Sequence, residues 1–203
     1  MGQYYHPCVL RKNWKSAKNP VECSLYSHRF GSGLKLMEHS YAGNGFVGAM
    51  CYLLAKAYKG YPFVWVGDYA DRQITNAYPE DKPDENGECG AYIYGFGSDV
   101  CDTEKNKELT TSLIANGATS KQYAYAINYT KREFVKIPKF NKEEWRIHPL
   151  PLLCCDGCGR GLGDYGIDDD RIGSWAYDCI GVTNSKKETE GLKEINGVFE
   201  QDW

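Results

Sequence analysis

The 203-residue chain carries 24 Lys and Arg against 27 Asp and Glu, a net charge of −3 with a pI near 5.8, so no global positive field exists to hold nucleic acid non-specifically. It has no apolar run of about 18 residues, which removes a membrane span, and MGQYYHPCVLRKNWK lacks the basic-then-apolar order of a signal peptide. The expected compartment is a reducing cytoplasm, with the nine cysteines as thiols or metal ligands rather than bridges.

The length suits a single domain, 1–203, and 28 aromatic residues with 22 glycines favour a turn-rich α+β fold. Gln3 to Leu10 alternates and reads as a strand broken by Pro7, and Ser24 to His28 reads as a second strand. In FGSGLKLMEHSYAGNG, glycines 31, 33, 43 and 45 bracket Leu34, Leu36 and Met37, a short strand between tight turns. The clearest element is a helix over about 45–59: Asn44 is its N-cap, Phe46, Met50, Leu53 and Ala57 share a stripe, and Gly60 and Pro62 end it. A strand follows at Phe63 to Val66.

Residues 79–118 form an expected exposed polar excursion, since PEDKPDENGECG is almost without apolar side chains and 102–117, polar too, is either a short helix or a mobile segment. YAYAIN and KREFVKI predict a hairpin turning at Asn128 to Lys131, and Ile172 to Val182 predicts another strand. The expected architecture is a mainly antiparallel, twisted sheet with the 45–59 helix on one face. Its predicted core is Val9, Phe46, Met50, Leu53, Leu54, Val64, Trp65, Val66, Ile127, Phe134, Leu152, Ile172 and Trp175.

The chemistry-bearing residues concentrate between His148 and Asp178. Cys154, Cys155 and Cys158 lie in CCDGCG, whose CDGCG outlines half of a zinc knuckle with Cys155 and Cys158 as the two thiolates, but a structural zinc needs four ligands and no second CxxC follows. GCGRGLGDYG can fold its amides into an anion-binding concavity, with Arg160 adding a bidentate fork between Gly159, Gly161 and Gly163, although it is neither dinucleotide nor P-loop fingerprint. Tyr165, Trp175, His148 and Asp68 are the expected companions of that ligand site. Asp164, Asp168, Asp169 and Asp170 lack the EF-hand alternation for calcium. His39, Asp68, Asp71 and His148 are the one set offering imidazole with carboxylate for acid/base or metal-dependent hydrolysis.

MGQYY, GSGLKLMEHS, VWVGDYAD, IHPLPLL, GRGLGDY and IGSWAYD, taken in order over residues 1–182, resemble a family of small bacteriophage and prophage proteins of unassigned activity. The resemblance carries over no catalytic residue. The family's turn before GRG has Asn where Cys158 stands, which weakens the zinc reading, and Arg where Tyr177 stands. It implies a phage-type protein in the host cytoplasm, and because the richest polar positions are glycine, aromatic and arginine rather than a nucleophile with a base, the expected function is an accessory binding protein that sequesters a small anionic, nucleotide-like ligand or docks on a host protein to counter defence. A hydrolase and a structural or assembly protein are the alternatives.

Overall fold

The computed structural model describes residues 3–70, 93–156 and 169–199. Two near-continuous apolar segments build the centre of its sheet: β1 (Tyr5–Leu10) and β3 (Tyr61–Gly67) pair antiparallel with Tyr5 opposite Gly67 and Val9 opposite Phe63. Pro7 does not break β1. It lies opposite Trp65, and on the other side β2 (Val21–Ser24) pairs only from Cys8 onward, so the missing amide faces an unpaired stretch.

The strand order is β2-β1-β3-β7-β4-β5-β8, completed by β4 (Tyr125–Asn128), β5 (Glu133–Lys136), β7 (Cys179–Thr183) and β8 (Lys193–Glu194). Most pairs are antiparallel. The parallel ones are β5 with β8, and β3 with the two-residue β6 (Cys155–Asp156). The fold is α+β, with β4 and β5 forming the expected hairpin.

Side chains alternate across the central strands with the period of two that a sheet imposes. Tyr5, Val9, Phe63 and Trp65 point into the main core, while Cys8, Leu10, Val64 and Val66 point into a second one. The main core is closed by α2 (Gly45–Ala55), whose Asn44 cap accepts the amides of Phe46 and Val47 at 2.9 and 3.2 Å. All thirteen predicted core residues are buried. The helix is shorter than expected because Lys56 leaves helical dihedrals and the Gly60 amide is drawn to the Ile180 carbonyl of β7 at 2.8 Å.

Four expectations need correction. Ser24 to His28 is not the second strand, since β2 ends at Ser24 and a 3-10 turn over Ser27–Phe30 follows. The piece around Leu36 is a one-turn helix, α1 (Leu36–His39), rather than a strand, because the Glu38 carboxylate reaches back to the Lys35 amide at 2.9 Å. In the expected exposed excursion, residues 71–92 lie outside the described residues, but 93–118 hold α3 (Ile93–Asp102), which was not expected, and α4 (Glu104–Ala115), the short helix that 102–117 allowed, and both contribute buried side chains. Ile93 and Phe96 bury into the second core, and Asn106 donates to the Ser24 carbonyl at 2.6 Å. Finally, only the end of the Ile172 to Val182 segment is strand. The Gly173 and Trp175 amides instead satisfy the Leu152 and Leu153 carbonyls (2.8 and 2.7 Å) at the end of α5 (Pro149–Cys154), which folds 170–177 into turns.

Candidate functional site

His39 and His148 lie on neighbouring backbones, since the His148 amide donates to the Ser40 carbonyl at 3.0 Å, yet their rings serve different partners. His39 is fully buried; its Nε2 accepts the Trp65 indole N–H at 3.0 Å, which leaves the proton on Nδ1 for the Gly33 carbonyl, also at 3.0 Å. Burial lowers its pKa to about 4, so this ring is a neutral cross-link between α1 and the sheet. Asp68 accepts the Tyr4 amide at 3.1 Å and its own amide donates to the Tyr4 carbonyl at 3.0 Å, tying down the start of the chain. Asp71 lies outside the described residues.

His148 caps α5. Its Nδ1 accepts the Leu150 amide at 3.3 Å, which places the proton on Nε2, and that nitrogen faces Cys51 Sγ on α2 at 3.7 Å. Burial pushes the Cys51 thiol up to about 12 and His148 down to about 3, so both are neutral at ordinary pH. In this tautomer the imidazole donates to the thiol instead of taking its proton. The pair therefore lacks the base that a cysteine nucleophile requires.

Of the expected ligand-site residues, Gly159, Arg160, Gly161, Gly163 and Tyr165 lie outside the described residues, as does Cys158 of the zinc reading. Trp175 is a core residue, 0% exposed, with its indole N–H donating to Glu133 at 3.2 Å. Cys155 is buried and donates to the Leu152 carbonyl at 3.2 Å. Among the described residues no three His, Cys, Asp or Glu side chains are grouped to share a metal ion. Asp169 is the bidentate partner of Arg171 (Nε to Oδ1 2.9 Å, Nε to Oδ2 3.1 Å).

A cavity lies elsewhere. A half-open groove of about 710 Å3 is bounded by residues 136–138 after β5, 144–147 before α5, and the final segment 194–199. Its apolar walls come from Ile137, Pro138, Ile147, Ile195 and Phe199, and Trp145 stands at its rim, 48% exposed, 6.5 Å from the Tyr41 ring. Two cations sit on the rim, each beside a carboxylate: Lys136 with Glu194 at 2.7 Å and Arg146 with Glu144 at 2.6 Å.

No family model, curated protein or solved structure matches this chain.

Beyond the β5–β8 pairing, an arginine holds the groove's outer wall. Arg171 Nη2 donates to the Val198 carbonyl at 3.0 Å and Nη1 to that of Asn196, and its guanidinium lies 4.7 Å from the Phe199 ring centroid. Gly197 passes so close to Val135 that a Cβ there would meet its side chain at 1.9 Å. A second chamber of about 210 Å3 shares Ile137 and Pro138 with the groove and is lined by Cys51, His148, Tyr123, Phe140 and the backbone around Gly43 and Thr119. Sequence reasoning missed both cavities. The one local signal was Trp145, a large aromatic in the otherwise charged stretch NKEEWR.

Proposed function

We propose that this protein is a non-catalytic binding protein whose groove beneath Trp145 takes a small ligand with a flat, stackable body and an anionic end, such as a nucleotide. The single observation that carries this reading is the 710 Å3 groove itself, which is of drug-sized capacity, apolar within and edged by an exposed indole and two cations. Exposed ion pairs such as Lys136–Glu194 and Arg146–Glu144 contribute little to stability, so a ligand phosphate can replace either carboxylate at small cost. An indole face stacks on any base without reading its identity.

Thermal-shift and calorimetric measurements with mono-, di- and cyclic nucleotides test the reading. At least one class should stabilise the protein, and Trp145→Ala should weaken binding by about 1–3 kcal/mol, the worth of one base–aromatic stack. No response to any of them, or a Trp145→Ala protein that responds as the parent does, refutes it. Docking on a host protein is favoured by one further observation: Phe140, Trp145 and Val198, exposed by 45, 48 and 62%, line the groove and its neighbouring chamber. That reading gives no nucleotide response and a host-protein contact that Trp145→Ala removes.

A further inference from the structure

The smaller chamber has a chemistry of its own. The fold uses only one nitrogen of His148, the Nδ1 that caps α5, and among the described residues the Nε2 proton meets nothing better than the Cys51 sulfur at 3.7 Å. Sulfur is a weak acceptor, so this buried donor is poorly satisfied, a condition that costs free energy until an acceptor arrives. The cavity in front of it, about 210 Å3, has room for roughly seven waters or a molecule of similar bulk at about 30 Å3 each. At its mouth Phe140 stays 45% exposed while lying against Gly43, where an added Cβ would stand 2.3 Å from the ring. Phe140, Ile137 and Pro138 supply the chamber's apolar part, residues 119–122 line it as well, and His148 with Cys51 forms its buried end.

Charge is unwelcome there. Desolvation is the cause of both the raised Cys51 and the lowered His148, and no charged neighbour offsets it for either group. An anion entering the chamber would bear the same desolvation cost, whereas an uncharged acceptor would not.

We propose that the chamber is a binding site, separate from the groove, for a small uncharged molecule or substituent with an apolar body and one carbonyl-type acceptor, which takes the His148 Nε2 proton in place of the Cys51 sulfur. A lactam, amide or ketone fits this description; a carboxylate of the same shape does not.

The probes are pyrrolidone, cyclopentanone, cyclopentanecarboxylate and cyclopentane, followed by the backbone amide shifts of Gly48 and Leu150 and by the His148 ring-nitrogen resonances. The first two should shift these signals saturably, and the carboxylate and hydrocarbon should not. His148→Asn keeps an N-cap for α5, because asparagine accepts the Leu150 amide as well as histidine does, but it removes the deep donor. It should weaken pyrrolidone by about tenfold or more. Phe140→Ala should also weaken it, and Trp145→Ala should leave it unchanged, which separates this site from the groove. The proposal is overturned if none of the probes binds and the chamber holds water only. It is equally overturned if the carboxylate binds as well as the lactam, or if Phe140→Ala and His148→Asn both bind as the parent does.

Discussion

Replacing His39 by Leu tests whether that ring is a structural cross-link or a reactive group. The substitution keeps an apolar side chain of similar bulk at a fully buried position but orphans two groups, the Trp65 indole N–H and the Gly33 carbonyl, each now satisfied at 3.0 Å. An unsatisfied buried donor or acceptor costs about 1–3 kcal/mol, so the pair predicts a loss of about 4 kcal/mol. For a domain of this size that lowers Tm by about 8–16 °C. His39→Gln, which reaches one partner, should recover part of it. The sharper assay is a cycle with Trp65→Phe followed by urea unfolding: once His39 is gone, the indole N–H is already orphaned, so its removal should cost about 1–3 kcal/mol less than in the parent. Additivity of the two substitutions within about 0.5 kcal/mol would show that the His39–Trp65 bond does not hold α1 to the sheet.

Acid should unfold the protein early. Burial holds His6, His39 and His148 neutral, with pKa values lowered from 6.5 to about 4, about 4 and about 3. The unfolded chain takes up protons near 6.5 and the native chain only near 4 and below, so this stability is present above pH 6.5 and is lost as pH falls toward the folded values. His6 and His39 each account for about 3 kcal/mol over the full traverse and His148 for about 5 kcal/mol, and a urea midpoint that stays flat from pH 6.5 to about 5, above the carboxylate range, would contradict it. Arg171→Ala should free the groove wall: amides 195–199 should exchange about tenfold faster by hydrogen-exchange mass spectrometry. Arg171→Lys should not restore protection, because an ammonium cannot span two carbonyls and the Asp169 carboxylate together. Unchanged exchange in Arg171→Ala would refute the latch.

Local pattern was enough for much of the frame. Asn44 followed by the stripe Phe46, Met50, Leu53 declares α2 without reference to any other segment, and the alternation of Tyr125 and Ile127 with the return at Phe134 declares the hairpin. Helix α3 and the burial of α4 were illegible for the opposite reason. The buried face of α4 is Asn106, Thr110 and Leu113, helical in spacing but mostly polar, and Asn106 is tolerable inside only because the Ser24 carbonyl, 82 residues away, accepts from it. The reading of 79–118 as exposed treated polarity as solvation. Polarity with a distant partner looks the same in sequence.

The candidate site divides along the same line. Burial of Trp65, Trp175 and the other core positions followed from residue type and periodicity, because the hydrophobic effect acts on each side chain regardless of its partner. Which group each polar atom meets did not follow. His39 to Trp65 spans 26 residues and His148 to Cys51 spans 97, and both pairings exist because sheet register and the placing of α5 bring those atoms within reach. The groove is still further from the local code: it is the space left between 136–138, 144–147 and 194–199, closed by an arginine from a fourth segment. The amino-acid order by itself determined what must be buried. Tertiary structure decided where the cavities lie and what their donors face, because hydrogen bonds are directional and their partners are chosen by the fold.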